Sequence, residues 1–271
     1  MTFWNSLRST FVSALHHRLL WLLQFFGNAV IALIFVWWLR IDPDTGWDVF
    51  LNFFVALVFI VAALVLHGGT MSYHSDVWEN KTAGLAPAFK KALKHLPAFA
   101  LWTAILYFVL HFVSKLDNYQ YEIPGYLRSE FPAWLRRHVT ENAMDNLYIG
   151  FVAFLRWVLV PGLLLPLGLL CANIGFGGFL KFGAWWRALR NLAYWIVLIL
   201  AAVIGVYCTG KLMEWTLHPE APAVGREGTW LGFRMVVAYL LALFSWLWVC
   251  STLACARFRP DPPAASQKAA A

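Results

Sequence analysis

At 271 residues, with 61% hydrophobic and 17% aromatic side chains but only 13% charged ones, the chain lies far outside the usual soluble mixture of about 45 to 50% apolar and about 25% charged residues. A mean hydropathy of +0.63 points to a lipid bilayer and argues against a soluble globular domain. The net charge of +7 is spread over loops with no basic domain, which disfavours nucleic-acid binding and reads instead as a signal of membrane topology.

A hydrocarbon core about 30 Å thick needs about 20 apolar residues at about 1.5 Å rise each. Six runs meet this requirement: 19–39, 47–66, 98–114, 148–173, 192–210 and 230–256. They are continuously apolar rather than alternating, so they predict helices and not barrel strands. The predicted fold class is an all-α integral membrane protein with six transmembrane helices. The first run exceeds a signal-peptide core and leads into WWLRIDPD with no small-residue cleavage site, so it is expected to be retained.

The second run stops at HGGTMSYHSD, residues 67–76. Two histidines and an aspartate here have the look of a metal site, but the short histidine spacings of such sites are absent. The reading adopted is punctuation: His67 in the last turn of a span, Gly68 and Gly69 as helix stops, and Asp76 with Glu79 as a capping box opening a short following segment. No metal or cofactor is expected.

Beyond that stop lies AFKKALKHLPAF, residues 88–99, which aligns with AWWRALRNLAYW, residues 184–195. Ala88 matches Ala184, Phe89 Trp185, Lys91 Arg187, Ala92 Ala188, Leu93 Leu189, Lys94 Arg190, Leu96 Leu192 and Phe99 Trp195. A weaker copy, TFVSALHHRLLW at 10–21, keeps Phe11, Ala14, Leu15 and Trp21. Each copy precedes an odd-numbered run, which predicts three units of a short amphipathic helix followed by two spans, at about 8–67, 85–173 and 179–256.

Phe89, Ala92, Leu93 and Leu96 form one apolar stripe at helical spacing, while Lys90, Lys91 and Lys94 project from other parts of the circumference. Together with Arg187 and Arg190 of the later copy, these are the candidate lipid-interface residues, placed to meet anionic lipid head groups. Pro97 is expected to break the middle helix. Ala193 in its place predicts an unbroken later one.

The second outer connection, 115–147, is long and predicts an amphipathic helix carrying Phe131, Trp134, Leu135 and Val139, with Arg137 and Glu141 paired at i, i+4. Within the runs, Arg156 and Arg234 are the costliest residues. They are the candidate substrate-binding pair for an anionic ligand; the alternatives are snorkelling, or pairing with an acid such as Asp145 or Glu227. Pro161 and Pro166 free main-chain carbonyls inside the fourth run; transporters use such broken helices to coordinate ions, but kinked packing is the commoner outcome. Gln24, Asn28, Asn52, Thr103 and Asn173 are expected to bond between helices. Cys171, Cys208, Cys250 and Cys255 are expected to act as small packing residues, and tryptophans near run ends as interfacial anchors. The tail, 260–271, is expected to be disordered.

Lys and Arg concentrate at the N-terminus (Arg8, Arg18), the second loop (Lys81, Lys90, Lys91, Lys94), the fourth loop (Lys181, Arg187, Arg190) and the C-terminus (Arg257, Arg259, Lys268). Both termini are therefore expected in the cytoplasm, with the chain in the cytoplasmic (inner) membrane. On that topology the sequon Asn80-Lys81-Thr82 is cytoplasmic and unmodified.

The layout carried by AFKKALKHLPAF and AWWRALRNLAYW resembles bacterial six-span proteins related to the membrane domain of glycerophosphodiester phosphodiesterase. In those enzymes catalysis belongs to an attached soluble barrel for which this chain has no candidate segment, so the resemblance implies no catalytic residue here. No nucleophile elbow, metalloprotease helix, phosphate loop or dinucleotide motif occurs. The expected function is that of a non-enzymatic accessory, scaffold or lipid-environment module with a possible membrane-protein partner; the alternative is a small permease or permease subunit for an anionic or lipidic substrate.

Overall fold

The computed structural model describes residues 3–42, 44–79, 83–215 and 224–258, side chains of 224–226 and 258 excepted. The sequon and the tail lie outside the described residues. The described chain is almost entirely helical, without a strand, and six of its helical stretches are long and apolar enough to cross a membrane. They are α2 (Arg18–Trp38), α3 (Gly46–Trp78), α5 (Leu96–Lys115), a fourth built from α8 (Glu141–Phe154) and α9 (Val160–Ile174), a fifth built from α11 (Leu192–Ala202) and α12 (Thr209–Glu214), and α13 (Val224–Phe258). Shorter helices are α1 (Phe3–His16), α4 (Leu85–Lys94), α6 (Glu122–Ser129), α7 (Ala133–Arg136) and α10 (Phe182–Leu189).

One boundary departs far from expectation. The helix that was to stop at Gly68-Gly69 runs on to Trp78. Glycine inside a helix costs about 0.5 to 1 kcal/mol relative to alanine, and close packing offsets it here. A Cβ on Gly68 would lie 3.3 Å from the Phe99 ring and one on Gly69 2.8 Å from the Phe89 ring. Gly68, Ser72 and Ser75 are all buried at i, i+4 and i+7, a small-residue face that lets other helices approach. The capping box exists at the other end of α3. Thr45 Oγ1 accepts from Asp48 N–H and Asp48 Oδ2 accepts from Thr45 N–H, both at 3.2 Å.

The fourth and fifth spans each contain a π-helical turn, Leu155–Leu159 and Val203–Cys208. The first ends two residues before Pro161, whose missing N–H would leave the Trp157 carbonyl without its usual donor. In the second, Thr209 Oγ1 donates to the carbonyls of Gly205 at 2.8 Å and Val206 at 2.9 Å. The later short helix was expected to run unbroken into its span, and it does not. Asn191 separates α10 from α11 and caps the latter, its side chain accepting from Ala193 N–H at 3.0 Å. In the long connection only α7 forms within the predicted amphipathic stretch, and Glu141 pairs with Arg128 instead of Arg137.

Packing follows a simple scheme. Neighbouring spans form hairpins, α2 with α3, α5 with α9 and α11 with α13, while α3 also packs on α9 and α13. The short helices lie against the second member of a hairpin: α4 on α3, α10 on α9 and α13, and α1 on α13. Each buries small residues at four-residue spacing: Ser6, Thr10 and Ala14 in α1, Ala88 and Ala92 in α4, Ala184 and Ala188 in α10. The tight core sits toward this end of the bundle, in residues such as Met71, Leu169, Tyr194, Leu247 and Leu253. Trp47, Phe50, Phe53 and Leu57 in the first half of α3 are exposed, as are Tyr107, Phe108 and Phe112 in the second half of α5.

Candidate functional site

The polar groups of the core gather around the second half of α3, the segment that carries HGGTMSYHSD. Its helical continuity aims successive residues at different neighbours. Toward α2, buried Gln24 donates to Thr70 Oγ1 and to the Leu66 carbonyl, while Asn28 donates to Gln24 Oε1 at 2.8 Å. Toward α9, Ser72 Oγ donates to the Ala172 carbonyl at 3.2 Å. Toward α13, Trp78 Nε1 donates to Ser251 Oγ at 3.3 Å, and the His67 ring meets the Trp246 ring edge-on at 5.3 Å.

His17, at the break between α1 and α2, brings its Nδ1 within 3.0 Å of the Tyr73 hydroxyl, and its ring lies 5.9 Å from that of His74. Burial, reinforced by neighbouring His16, lowers the pKa of His17 below its ordinary value. His74 is fully buried, and no described protein group bonds either ring nitrogen. Among the described residues no group of three His, Cys, Asp or Glu side chains is arranged to hold a metal ion.

The strongest electrostatic contact of the segment comes from a residue with another expected role. Lys91 Nζ lies 2.6 Å from Asp76 Oδ1 and donates to Asn173 Oδ1 at 3.1 Å, tying α4, α3 and α9 together. Asp76 therefore belongs to the last turn of α3 and to this ion pair, not to a helix start. Lys90, Lys94, Arg187 and Arg190 are exposed, and neither Lys90 nor Lys94 meets a carboxylate among the described residues. The structure thus separates Lys91 from the other four. Where α4 gives way to α5, His95 is pushed down by burial and by the charges of Lys94 and Lys91. Its Nδ1 would be 2.8 Å from a Cβ on Gly175, whose φ of 68° ends α9 in a conformation suited to glycine.

Arg156 and Arg234 engage different partners. Arg156, on the π turn, pairs with Asp117, not Asp145. Arg234 is 6% exposed and donates to the main-chain carbonyls of Leu212, Met213 and Trp215, covering the C-terminal end of α12. The carbonyls near the fourth-span prolines are occupied too. Tyr194 Oη donates to Gly162 O at 2.9 Å, Trp185 Nε1 to Leu163 O and Trp102 Nε1 to Leu164 O, both at 2.8 Å.

The interior of the site was hard to read in the sequence because its partners are remote along the chain: Asp76 with Lys91 and Asn173, Tyr73 with His17. The spacing of Gly68, Ser72 and Ser75 was the available signal, and read as a small-residue face it points to a continuing helix. No family model matches the chain, nor does any curated protein or solved structure.

Proposed function

We propose that this chain is a polytopic protein of the cytoplasmic membrane acting as a non-enzymatic accessory, scaffold or lipid-environment module. In this reading it is built from three repeats with both termini cytoplasmic. Its layout likeness to the membrane domain of glycerophosphodiester phosphodiesterase belongs to the same reading. The observation that carries it is the shared packing of α1, α4 and α10. Each rests on the second span of a hairpin, α4 on α3, α10 on α9 and α1 on α13, and each buries small residues at aligned positions: Thr10, Ala88 and Ala184, then Ala14, Ala92 and Ala188. In the first and last copies a tryptophan also reaches back to the preceding helix, at the position where the middle copy has Phe99. Trp21 Nε1 donates to Ala14 O and Trp195 Nε1 to Leu189 O, both at 2.8 Å.

That arrangement supports amphipathic helices lying in the headgroup layer, with Lys90, Lys94, Arg187 and Arg190 exposed toward anionic lipid. Internal partners for Arg156, Arg234 and the Gly162 carbonyl favour a packed module over a binding cavity. The second reading, a small permease or permease subunit, is favoured by the π-helical turns in two neighbouring spans, since such turns recur at functional positions.

Lipids and proteins retained after mild detergent extraction test the proposal. Anionic phospholipid is expected to be enriched over the bulk membrane, and the combined Lys90→Gln, Lys94→Gln, Arg187→Gln and Arg190→Gln variant to lose that enrichment. Retained lipid of bulk composition would contradict it. Transport of an anionic solute or lipid in proteoliposomes, abolished by Arg156→Gln or Arg234→Gln with folding unchanged, would favour the permease.

A further inference from the structure

Between α2 and α3 runs a groove of about 370 Å³ whose walls are Phe26, Val30 and Ile34 on one side and Ala62 and Val65 on the other, with Phe89 of α4 at one end. The lining is apolar, as expected of a surface inside the hydrocarbon layer. Phe26 to Ile34 covers about 12 Å along the helix axis, about four-fifths of the roughly 15 Å hydrocarbon thickness of one leaflet. Gly27 contributes to the floor: a Cβ there would lie 3.0 Å from Leu66 Cδ2, so its absence lets α2 settle close to α3.

The Phe89 end is the charged end. Phe89 packs its ring on Gly69, the next residue is Lys90, and Lys94 follows one turn later on the same short helix. Both lysines are exposed and neither meets a carboxylate among the described residues, whereas Lys91, between them, is held by Asp76. An apolar slot that ends at Phe89, on the same short helix as exposed Lys90 and Lys94, combines hydrocarbon lining with nearby cationic charge, the polarity pattern of an anionic phospholipid.

We propose that the groove between α2 and α3 holds one acyl chain of an anionic phospholipid whose phosphate is received by Lys90 and Lys94. The inference rests on the lipid-environment reading and narrows it to one site. Gly27 and Phe89 shape the slot, and the two lysines select the headgroup charge. The Asp76–Lys91 pair keeps α4 seated on α3, and with it the register of Phe89, Lys90 and Lys94.

The test is native mass spectrometry of the full chain purified in mild detergent and exchanged into nanodiscs of mixed phosphatidylglycerol and phosphatidylcholine. One phosphatidylglycerol per chain should survive detergent exchange. Ala62→Phe, which fills the slot, should remove it, and Val30→Phe fills the slot from α2 if Ala62→Phe lowers the yield. Val58→Phe, at an exposed position outside the groove lining, should leave it bound. Lys90→Gln with Lys94→Gln should cut the preference for phosphatidylglycerol roughly tenfold while an acyl chain still binds. Retention unaffected by both filling variants would overturn the groove site, as would a polypeptide captured in place of lipid. If anionic enrichment then remains sensitive to Arg187→Gln and Arg190→Gln, the general reading stands without the groove; if no variant alters it, both fail.

Discussion

Tyr194 is fully buried, and its hydroxyl meets a carbonyl with an unusual need. Pro166 sits four residues after Gly162 and has no N–H to donate to it, so Tyr194 Oη supplies the bond that the helix cannot. Hydrogen bonds between membrane helices average about 0.6 kcal/mol and reach about 1.7 kcal/mol. The lack of an in-helix donor puts this one at the upper end. Tyr194→Phe is expected to cost about 1.5 kcal/mol, read as a lowered unfolding midpoint in detergent. Thr103→Val is the control: Thr103 Oγ1 donates at 2.9 Å to Phe99 O within its own helix, and removing it should change little. Equal losses in the two variants would contradict the account. The prolines were legible as places where carbonyls come free, but Tyr194, Trp185 and Trp102 were not legible as their partners, because nothing local in the sequence ties those donors to α9. The polar residues fared better. Gln24 and Asn52 do bond across helices, Asn52 Oδ1 accepting from Trp38 Nε1 at 2.8 Å, whereas Thr103 turns back to its own helix. In-span polarity thus predicted the need for a partner more reliably than the partner itself.

Elements were legible where their cause is local. Continuous apolar length marked all six spans, since a bilayer demands that length from each helix separately. Boundaries set by distant packing were not legible. Gly68-Gly69 has the composition of a stop and serves as a notch, because Phe89 and Phe99 supply the rings that fill it. Asn191 does the work expected of a proline, ending α10 by capping α11. The joint between α1 and α2 turns on His17, held below its ordinary pKa by burial and by His16. With the folded value below the unfolded value of about 6.5, the unfolded chain takes up the proton first as pH falls. His17's contribution to stability is therefore full above about pH 6.5 and declines below it. His95, at the joint between α4 and α5, is shifted in the same direction by burial, Lys94 and Lys91, so it adds to the same acid loss. The unfolding midpoint should drop on acidification from about pH 7.5 to about pH 5, and His17→Gln should flatten part of that drop. An identical pH slope in the variant would remove His17 from the account.

At the scale of the whole molecule, the bundle is packed most tightly toward the end where α1, α4 and α10 lie and is more exposed along the first half of α3 and the second half of α5. A hydrophobic drive acts weakly between helices that already sit in lipid, so close approach of small residues and shared hydrogen bonds must hold such a bundle together. Both concentrate at that end, in Gly68, Ser72, Ala92 and Ala188 and in the Asp76–Lys91–Asn173 link. The proposed module therefore has a rigid face that carries its basic helices, and the proposal assigns that face to the cytoplasm. Sided labelling of single cysteines tests this most directly. In a background with Cys171, Cys208, Cys250 and Cys255 changed to alanine, Trp4→Cys, Lys94→Cys and Trp186→Cys each place a thiol at an exposed position on one of the three short helices, and Trp134→Cys places one in the long connection. A membrane-impermeant maleimide should label the first three only in inverted vesicles and the last only in intact spheroplasts. Labelling of any of the three short helices in intact spheroplasts would contradict the account.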